Sequence, residues 1–334
     1  MNSPATQYTT TGNNSIQFYD HKPQLASFGD EVIRGLKQCP RRIPPKFFYD
    51  KTGSEIFATI CDTEEYYVTR TEIGILERYR HEIGKLIGLG CTLLEPGSGD
   101  SRKVHILLES LKPDVYLPMD ISRDYLKNVA QKLADEYPWL DIHAACVDYT
   151  KPLDLSFLQT DNGNSARKIA FFPGSSIGNF EPRQAVAFLK NIARMVQPDG
   201  GLLIGVDLKK DPNVLHAAYN DNAGVTADFN LNLLKRINEE LDGDFEIDDF
   251  SHRAIYNADK GRVEMHLVSQ CTQTVNIDQE CFHFTANDYI HTENSYKYHI
   301  EEFQLLARES GFRPLQCWTD EEQLFSVHFL EVLS

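Results

Sequence analysis

The segment LLEPGSGDSRKV at residues 93–104 constrains this chain more than any other feature. An apolar strand enters a glycine turn and then a helix, and a helix starting there presents unpaired backbone N–H groups to a ligand at the turn. Around it, short apolar runs alternate with helical patterns: TLLEP at 92–96, VYLPMD at 115–120, IHAACVD at 142–148, IAFFPG at 169–174 and LLIGVD at 202–207. They read as five parallel strands. Helices fit between them at 102–111, 122–136 and 182–196, the last opening at Pro182 and closing at Pro198-Asp-Gly-Gly. Strand, helix and strand repeated in this way specify an α/β doubly wound, Rossmann-like sheet with helices on both faces.

The rhythm breaks after Asp207. Residues 210–297 offer one helix, Ala227 to Leu241, and then alternating segments such as RVEMHLVSQCTQTVNI that suit antiparallel strands. It returns with a helix at about 298–310, Gly311 as its stop, and strands at about 313–318 and 325–333 joined by TDEEQ. The middle block is therefore read as an inserted α+β lobe. Its expected packing partner is 16–70, also outside the rhythm, while 71–209 and 298–334 make the parallel-sheet domain. Within 16–70, Val32, Ile33 and Leu36 fall at helical spacing, RRIPPKFFYDKTGSEIF is extended by its paired prolines, and DTEEYYVTR is an aromatic-rich loop. A long helix is expected from Thr71, with Ile73, Leu76, Tyr79, Ile83 and Leu86 as its apolar stripe. Residues 1–15 are polar and expected to form a flexible tail.

Charge and cysteine usage narrow the partners. With 33 basic against 49 acidic residues, a net charge of −16 repels phosphate backbones and anionic lipid, so neither nucleic acid nor membrane is expected. Seven scattered cysteines without a C-x-x-C pair suit reduced thiols and a cytoplasmic protein. No apolar run reaches the ~18 residues that span a bilayer, and the N-terminus lacks the pattern of an export signal. A monomer is expected.

The glycine turn indicates a nucleotide-like ligand. For a dinucleotide, the third small position would fall on Arg102, whose bulk opposes the close helix packing that pyrophosphate binding uses. A shorter E-x-G-x-G turn suits S-adenosylmethionine, which carries a sulfonium and an amino acid tail instead of pyrophosphate. Asp120 closes the second strand where a carboxylate accepts hydrogen bonds from ribose hydroxyls, and Asp148 with Tyr149 closes the third, placed for the adenine amino group. These strand ends converge on one crevice at the carboxyl edge of the sheet.

The motifs PPKFFYDKTGSEIF, EEYYVTRTE, EPGSGDSRK, FFPGSSIGNF, AAYNDNAGVTADFN, RVEMHL, HTENSYKY and FSVHFLEV span about residues 40–332. In them the chain resembles the histidine Nα-methyltransferases of ergothioneine biosynthesis. The resemblance implies S-adenosylmethionine-dependent trimethylation of the α-amino group of L-histidine to hercynine, with no metal. It further implies a substrate pocket of Tyr49, Tyr66, Asn179, Tyr219, Met265, Glu293 and Ser295, and a cofactor pocket of Gly97, Lys103, Asp120, Asp148 and Tyr149. Asn179 and Tyr219 would hold the amino and carboxylate groups, with Tyr66 nearby; Glu293 and Ser295 would grip the imidazole, bordered by Tyr49. Tyr66 and Asn179 are the candidate catalytic residues.

Residue chemistry supports the same pocket. Glu293 and Ser295 lie two apart, so on a strand both point to one face, and a carboxylate plus a hydroxyl can bind both nitrogens of an imidazole. An indole has one N–H donor and no acceptor. Two alternatives stay open: an N-methyltransferase for another amino acid such as a tryptophan derivative, and a non-catalytic S-adenosylmethionine-binding protein. A metal set of Glu264, His266, His291 and Glu293 on two paired strands is also conceivable, but its spacing matches no known site.

Overall fold

The computed structural model describes residues 5–9, 16–21, 27–99, 101–158 and 166–333. The N-terminal part runs through β1 (Ala5–Thr9), β2 (Ile16–Asp20), α1 (Phe28–Leu36), β3 (Arg41–Arg42), α2 (Lys51–Cys61) and α3 (Tyr67–Ile87). The alternating part follows as β4 (Thr92–Pro96), α4 (Val104–Leu111), β5 (Val115–Asp120), α5 (Arg123–Glu136), β6 (Asp141–Cys146), β7 (Lys168–Phe172), α6 (Pro182–Val196) and β8 (Gly201–Asp207). The inserted part holds α7 (Pro212–Tyr219), α8 (Val225–Leu241), β9 (Phe250–Asn257), β10 (Arg262–Ser269), β11 (Gln273–Ile277), β12 (Glu280–Phe284) and β13 (Tyr289–Tyr296). The chain closes with α9 (Ile300–Glu309), β14 (Phe312–Thr319) and β15 (Phe325–Val332).

A nine-stranded sheet has the order β1-β2-β6-β5-β4-β7-β8-β15-β14. The run from β2 to β8 is parallel, and β1, β15 and β14 pair antiparallel at its two ends. The sequence order reverses at β4, where β5 departs to one side and β7 to the other. A crevice opens there, at the carboxyl ends of the strands. One apolar layer covers one face of the sheet through α6 and α9, and the other is continuous with the inserted lobe through Tyr66, Tyr219, Phe229 and Met265.

Local chemistry accounts for the element ends. Pro182 opens α6 without forfeiting a needed N–H, and Glu181 and Gln184 cap each other's backbone. α3 begins at Tyr67, four residues before the expected Thr71, because Tyr67 and Val68 prolong the buried face of Ile75 and Leu76. Pro212–Tyr219 forms a second helix where the sequence pattern offered one; Asp211 caps it by accepting from Asn213 N, and eight residues are too few to show a clear period.

Two expectations for the N-terminus are corrected. Ala5–Thr9, expected in a flexible tail, forms an edge strand paired antiparallel with β2, and Thr and Tyr favour extended structure; residues 1–4 and 10–15 lie outside the described residues. Ile16–Asp20, expected in the second lobe, pairs with β6 and buries Ile16, Phe18 and Tyr19 in the main sheet. A strand of five residues carries too little pattern to reveal which sheet it joins. No helix among the described residues is long and apolar enough to cross a membrane.

The second lobe is a four-stranded sheet, β3-β13-β10-β9, with α7, α8 and the β11–β12 hairpin. The PPKFFYD segment is pinned to α8: Phe48 stacks on Phe229 at 4.6 Å, Asn232 donates to Asp50 at 3.0 Å and Arg236 donates to the Phe47 carbonyl at 2.9 Å. The two sheets meet where β8 and β13 end. Tyr298 N donates to the Asp207 carbonyl at 3.1 Å, Lys209 N donates to the Tyr298 carbonyl at 3.0 Å, and the Lys297 ammonium lies 2.6 Å from the Asp207 carboxylate. Asp207 also accepts from Tyr67 Oη at 2.8 Å and Lys210 Nζ at 2.5 Å, so α3, β8 and β13 share one buried carboxylate.

Removing that charge leaves two ammonium groups without their counterion. Asp207→Asn is expected to lower the unfolding free energy by about 3–5 kcal/mol, measured by urea denaturation. A loss below ~1 kcal/mol, the scale of an exposed ion pair, would show that the joint is not held by this carboxylate.

Candidate active site

The crevice at β4 is built from backbone. Gly97 has φ +68°, its N–H donates to the Met119 carbonyl at 2.7 Å, and a Cβ at that position would meet the Tyr149 hydroxyl at 3.0 Å. Both the left-handed backbone and the close approach therefore require glycine. Tyr149 packs edge-on against Phe172 and Phe188. Its hydroxyl is pushed up by burial, and then by the neighbouring Asp120 and Asp148 carboxylates, so it stays a neutral phenol. Asp120 ends β5, accepting from Ser122 N at 2.9 Å; burial raises its pKa while nearby backbone N–H groups, Gly99 among them, oppose that.

Two further sequence candidates carry commitments of their own. Asp148 accepts from the Thr150 hydroxyl at 2.5 Å and pairs with Lys151 at 3.2 Å; burial alone would raise its pKa, but these partners hold it below the usual value. Lys103 is paired at 2.5 Å with Glu72, a buried carboxylate on α3 that also accepts from Gly174 N at 2.9 Å. Lys103 thus braces α4 against α3 and the β7 turn. Glu72 escaped the sequence reading, although a carboxylate in register with the apolar face of α3 was its signal. Arg102, the residue too large for a dinucleotide turn, lies 3.5 Å from Asp62.

The second cluster assembles at the junction of the lobes. After β7, a 3-10 turn over Ser176–Asn179 packs so tightly on β13 that a Cβ on Gly178 would come within 2.8 Å of the Tyr296 carbonyl. Asn179 and Glu293 are among the residues lining a cleft of about 220 Å³ whose other walls include Glu31, Arg42, Glu181, His291 and Asn294; Tyr49, Tyr66, Tyr219, Met265 and Ser295 do not line it. Rings connect the remaining candidates: Tyr49 meets Phe57 at 5.5 Å, Phe57 meets Tyr66 at 6.4 Å and Tyr66 meets Tyr219 at 6.1 Å, all edge-on. Phe57, absent from the sequence candidates, is the spacer between two of them. Tyr49 is raised by burial of its hydroxyl and then by Glu293 and Tyr149, which ties the substrate candidates to the cofactor crevice.

Glu293 is 9% exposed, and its carboxylate has no hydrogen-bond or ion-pair partner among the described residues. Burial lifts it to about 7, against the opposing pull of Lys297. The side chains of Tyr49, Tyr66 and Asn179 likewise have no hydrogen-bond partner among the described residues. Tyr49, Tyr66 and Glu293 lie within electrostatic reach of one another and of Tyr219, and open polar groups gathered in this way suit a polar ligand. Burial and then Tyr219 hold Tyr66 well above its ordinary value, so it serves as a neutral hydroxyl and not as a phenolate base.

Ser295 and Tyr219 are not open in the same sense. Tyr219 Oη donates to Ser295 Oγ at 2.8 Å, and Lys297 Nζ donates to Tyr219 Oη at 2.9 Å and to Ser295 Oγ at 2.8 Å. Lys297 was missed in the sequence, yet Glu293, Ser295 and Lys297 alternate along one face of an extended segment.

The conceivable metal set is divided by the register. Met265 pairs with Glu293 but His266 pairs with His291, so Thr292 is an extra residue that turns Glu293 to the Met265 side of the sheet. Glu264, His266 and His291 remain together, with ligand atoms within 4.8 Å of one another. Their space is shared with the Arg262 guanidinium, 2.7 Å from Glu264, which opposes a further cation.

Residues 28–332 match a family model described as histidine-specific, S-adenosylmethionine-dependent methyltransferase. The chain is 38% identical over 297 residues to histidine N-alpha-methyltransferase of Mycolicibacterium smegmatis, a match covering 87% of this chain and 90% of that one. It is 36% identical to the protein of the same name from Mycobacterium tuberculosis, with the same coverage. Ergothioneine biosynthesis protein 1 of Neurospora crassa is 31% identical over 88% of this chain and 33% of its own length. With most of its length inside the family match, the chain belongs to the S-adenosylmethionine-dependent, histidine-specific methyltransferases.

Proposed function

We propose that this protein methylates the α-amino group of L-histidine three times with S-adenosylmethionine, giving hercynine. The observation that carries the reading is the buried, unpartnered Glu293 carboxylate beside the Ser295 hydroxyl, a pair that matches the N–H and the bare nitrogen of an imidazole. The Gly97 turn fits the methyl donor, since the missing Cβ leaves room against Tyr149, and Asp120 offers a carboxylate to ribose hydroxyls. When bound, S-adenosylmethionine supplies an electrophilic methyl group whose thioether leaves without protonation.

The chain's own work is positioning. Asn179 holds the amino and carboxylate groups beside the Tyr219 ring, whose hydroxyl proton goes to Ser295, Tyr66 lies beside the amine, and Tyr49 with Met265 borders the imidazole. The Lys297 ammonium behind Tyr219 gives that end a positive potential suited to a carboxylate. Unpaired Asn179 and Tyr66 side chains leave the amine free to turn as each N–H is replaced by methyl. Residues 210–297 with 27–66 form the substrate-binding lobe. A cytoplasmic monomer completes the reading; that no disulfide joins the cysteines among the described residues suits a reducing compartment.

Purified protein incubated with S-adenosylmethionine and a panel of amino acids should add three methyl groups to histidine, read by mass. Preferential methylation of another amino acid, or binding without turnover, would sink the proposal. Glu293→Ala should lower kcat/KM for histidine by at least about tenfold while tryptophan methylation stays level or rises; equal losses for both would make Glu293 structural. Asp120→Ala should weaken binding of S-adenosylhomocysteine by roughly 1.5–3 kcal/mol by calorimetry, and unchanged affinity would remove it from the cofactor site.

Glu293 also has a stability signature. Between its ordinary 4.5 and the folded value of about 7, the native state keeps a proton that the unfolded chain has released, so stability falls as pH rises through that window. The loss amounts to about 3 kcal/mol above the window. Glu293→Gln should therefore be more stable than the parent at pH 8 and indistinguishable from it near pH 4, compared by denaturant titration. Parallel pH profiles for the two proteins would show that the carboxylate is not held at a raised pKa.

A further inference from the structure

Proton counting around Lys297 determines what Ser295 can do. The Lys297 ammonium has three hydrogens and three partners: Asp207 Oδ2 at 2.6 Å, Tyr219 Oη at 2.9 Å and Ser295 Oγ at 2.8 Å. Its side chain is buried, which opposes the charge, but the buried Asp207 carboxylate and Tyr219 together more than offset that and keep the amine protonated. An ammonium never accepts a hydrogen bond. Both hydroxyls beside it must therefore turn their own protons elsewhere. Tyr219 gives its proton to Ser295 at 2.8 Å, which fills the second lone pair of Oγ. Ser295 then accepts twice, and its remaining proton has no acceptor among the described residues.

We propose that Lys297 is a positioning residue that locks the Ser295 hydroxyl as a hydrogen-bond donor into the substrate pocket. This rests on the histidine reading above and deepens it. Glu293, two residues away on the same face, can accept but, when ionised, cannot donate. The pocket therefore selects a ring carrying one N–H for Glu293 and one bare nitrogen for Ser295. A ring with a donor but no acceptor leaves the Ser295 proton buried and unpaired, and one with two donors sets a hydrogen against it. Selectivity is written into the direction of a hydroxyl, and that direction is set by a lysine that does not touch the ring. Asp207 anchors Lys297, with Lys210 at 2.5 Å and Tyr67 at 2.8 Å holding the carboxylate from the far side.

The test compares L-histidine with the two pyrrolylalanine isomers, each of which keeps an N–H at one ring position and replaces the other nitrogen by carbon. Affinities are measured by calorimetry on protein loaded with S-adenosylhomocysteine. The parent protein should prefer histidine over the better pyrrole isomer by at least about tenfold. Ser295→Ala and Lys297→Met should both collapse that ratio, chiefly by weakening histidine, and in turnover Lys297→Met should raise KM for histidine more than it lowers kcat. Tyr219→Phe opens one lone pair of Ser295, as Lys297→Met does, so it should also lower the preference, and it carries the test should Lys297→Met fail to fold. A parent ratio near one overturns the inference, as does a Lys297→Met variant that weakens histidine and the pyrroles equally, or a ratio unchanged in Tyr219→Phe. Failure of the parent protein to methylate histidine would overturn the proposed function itself; turnover without discrimination overturns this inference alone.

Discussion

The contact on which the rest of the molecule depends is the buried pair of Asp207 and Lys297. It joins the last parallel strand of the large sheet to the strand that carries Glu293 and Ser295, and around it the backbones of β8 and β13 exchange hydrogen bonds through Asp207, Lys209 and Tyr298. A buried ion pair of this kind contributes little net stability compared with apolar packing, because desolvation offsets the attraction. Its value here is geometric. The pair draws the ends of β8 and β13 together, and in the same joint the 3-10 turn bearing Asn179 lies against β13.

The pocket shows the complementary physics. Where the joint gives the Lys297 ammonium a partner for each of its hydrogens, Tyr49, Tyr66, Asn179 and Glu293 have side chains without hydrogen-bond partners among the described residues. Those open groups come from separate parts of the chain: a loop pinned on α8, the cap of α3, the turn after β7, and β13. A buried carboxylate at about 7 is a standing cost to the unliganded fold, and a ligand with an N–H to offer relieves it. Selectivity and local instability are thus two aspects of the same missing partner.

Much of the frame was legible along the chain because its signals are local. Each parallel strand of the alternating region is a short apolar run ending at a turn, and the Gly97 turn needs its glycine for reasons confined to a few residues. Asp120 and Tyr149 could be placed because the carboxyl ends of parallel strands share one edge. The weaker readings failed where the local signal is thin: α7 spans eight residues, and β1 and β2 span five each. Lys103 and Asp148 show another limit. Their types suited a ligand site, but whether a charged atom is free depends on neighbours distant in sequence, here Glu72 for Lys103.

By itself the sequence determined the parallel-sheet architecture, the glycine turn after β4, and a carboxylate and a hydroxyl placed two residues apart on one strand face. Those properties follow from period, backbone conformation and residue type, all of which act over a few positions. Only the tertiary structure decided that Thr292 is an extra residue in β13, which puts Glu293 on the face opposite His266 and His291 and separates the conceivable metal set. It also decided that Lys297 meets Asp207 and orients Tyr219 and Ser295. Strand register and the direction of a hydroxyl are set by what lies across the sheet, and no spacing along the chain encodes them.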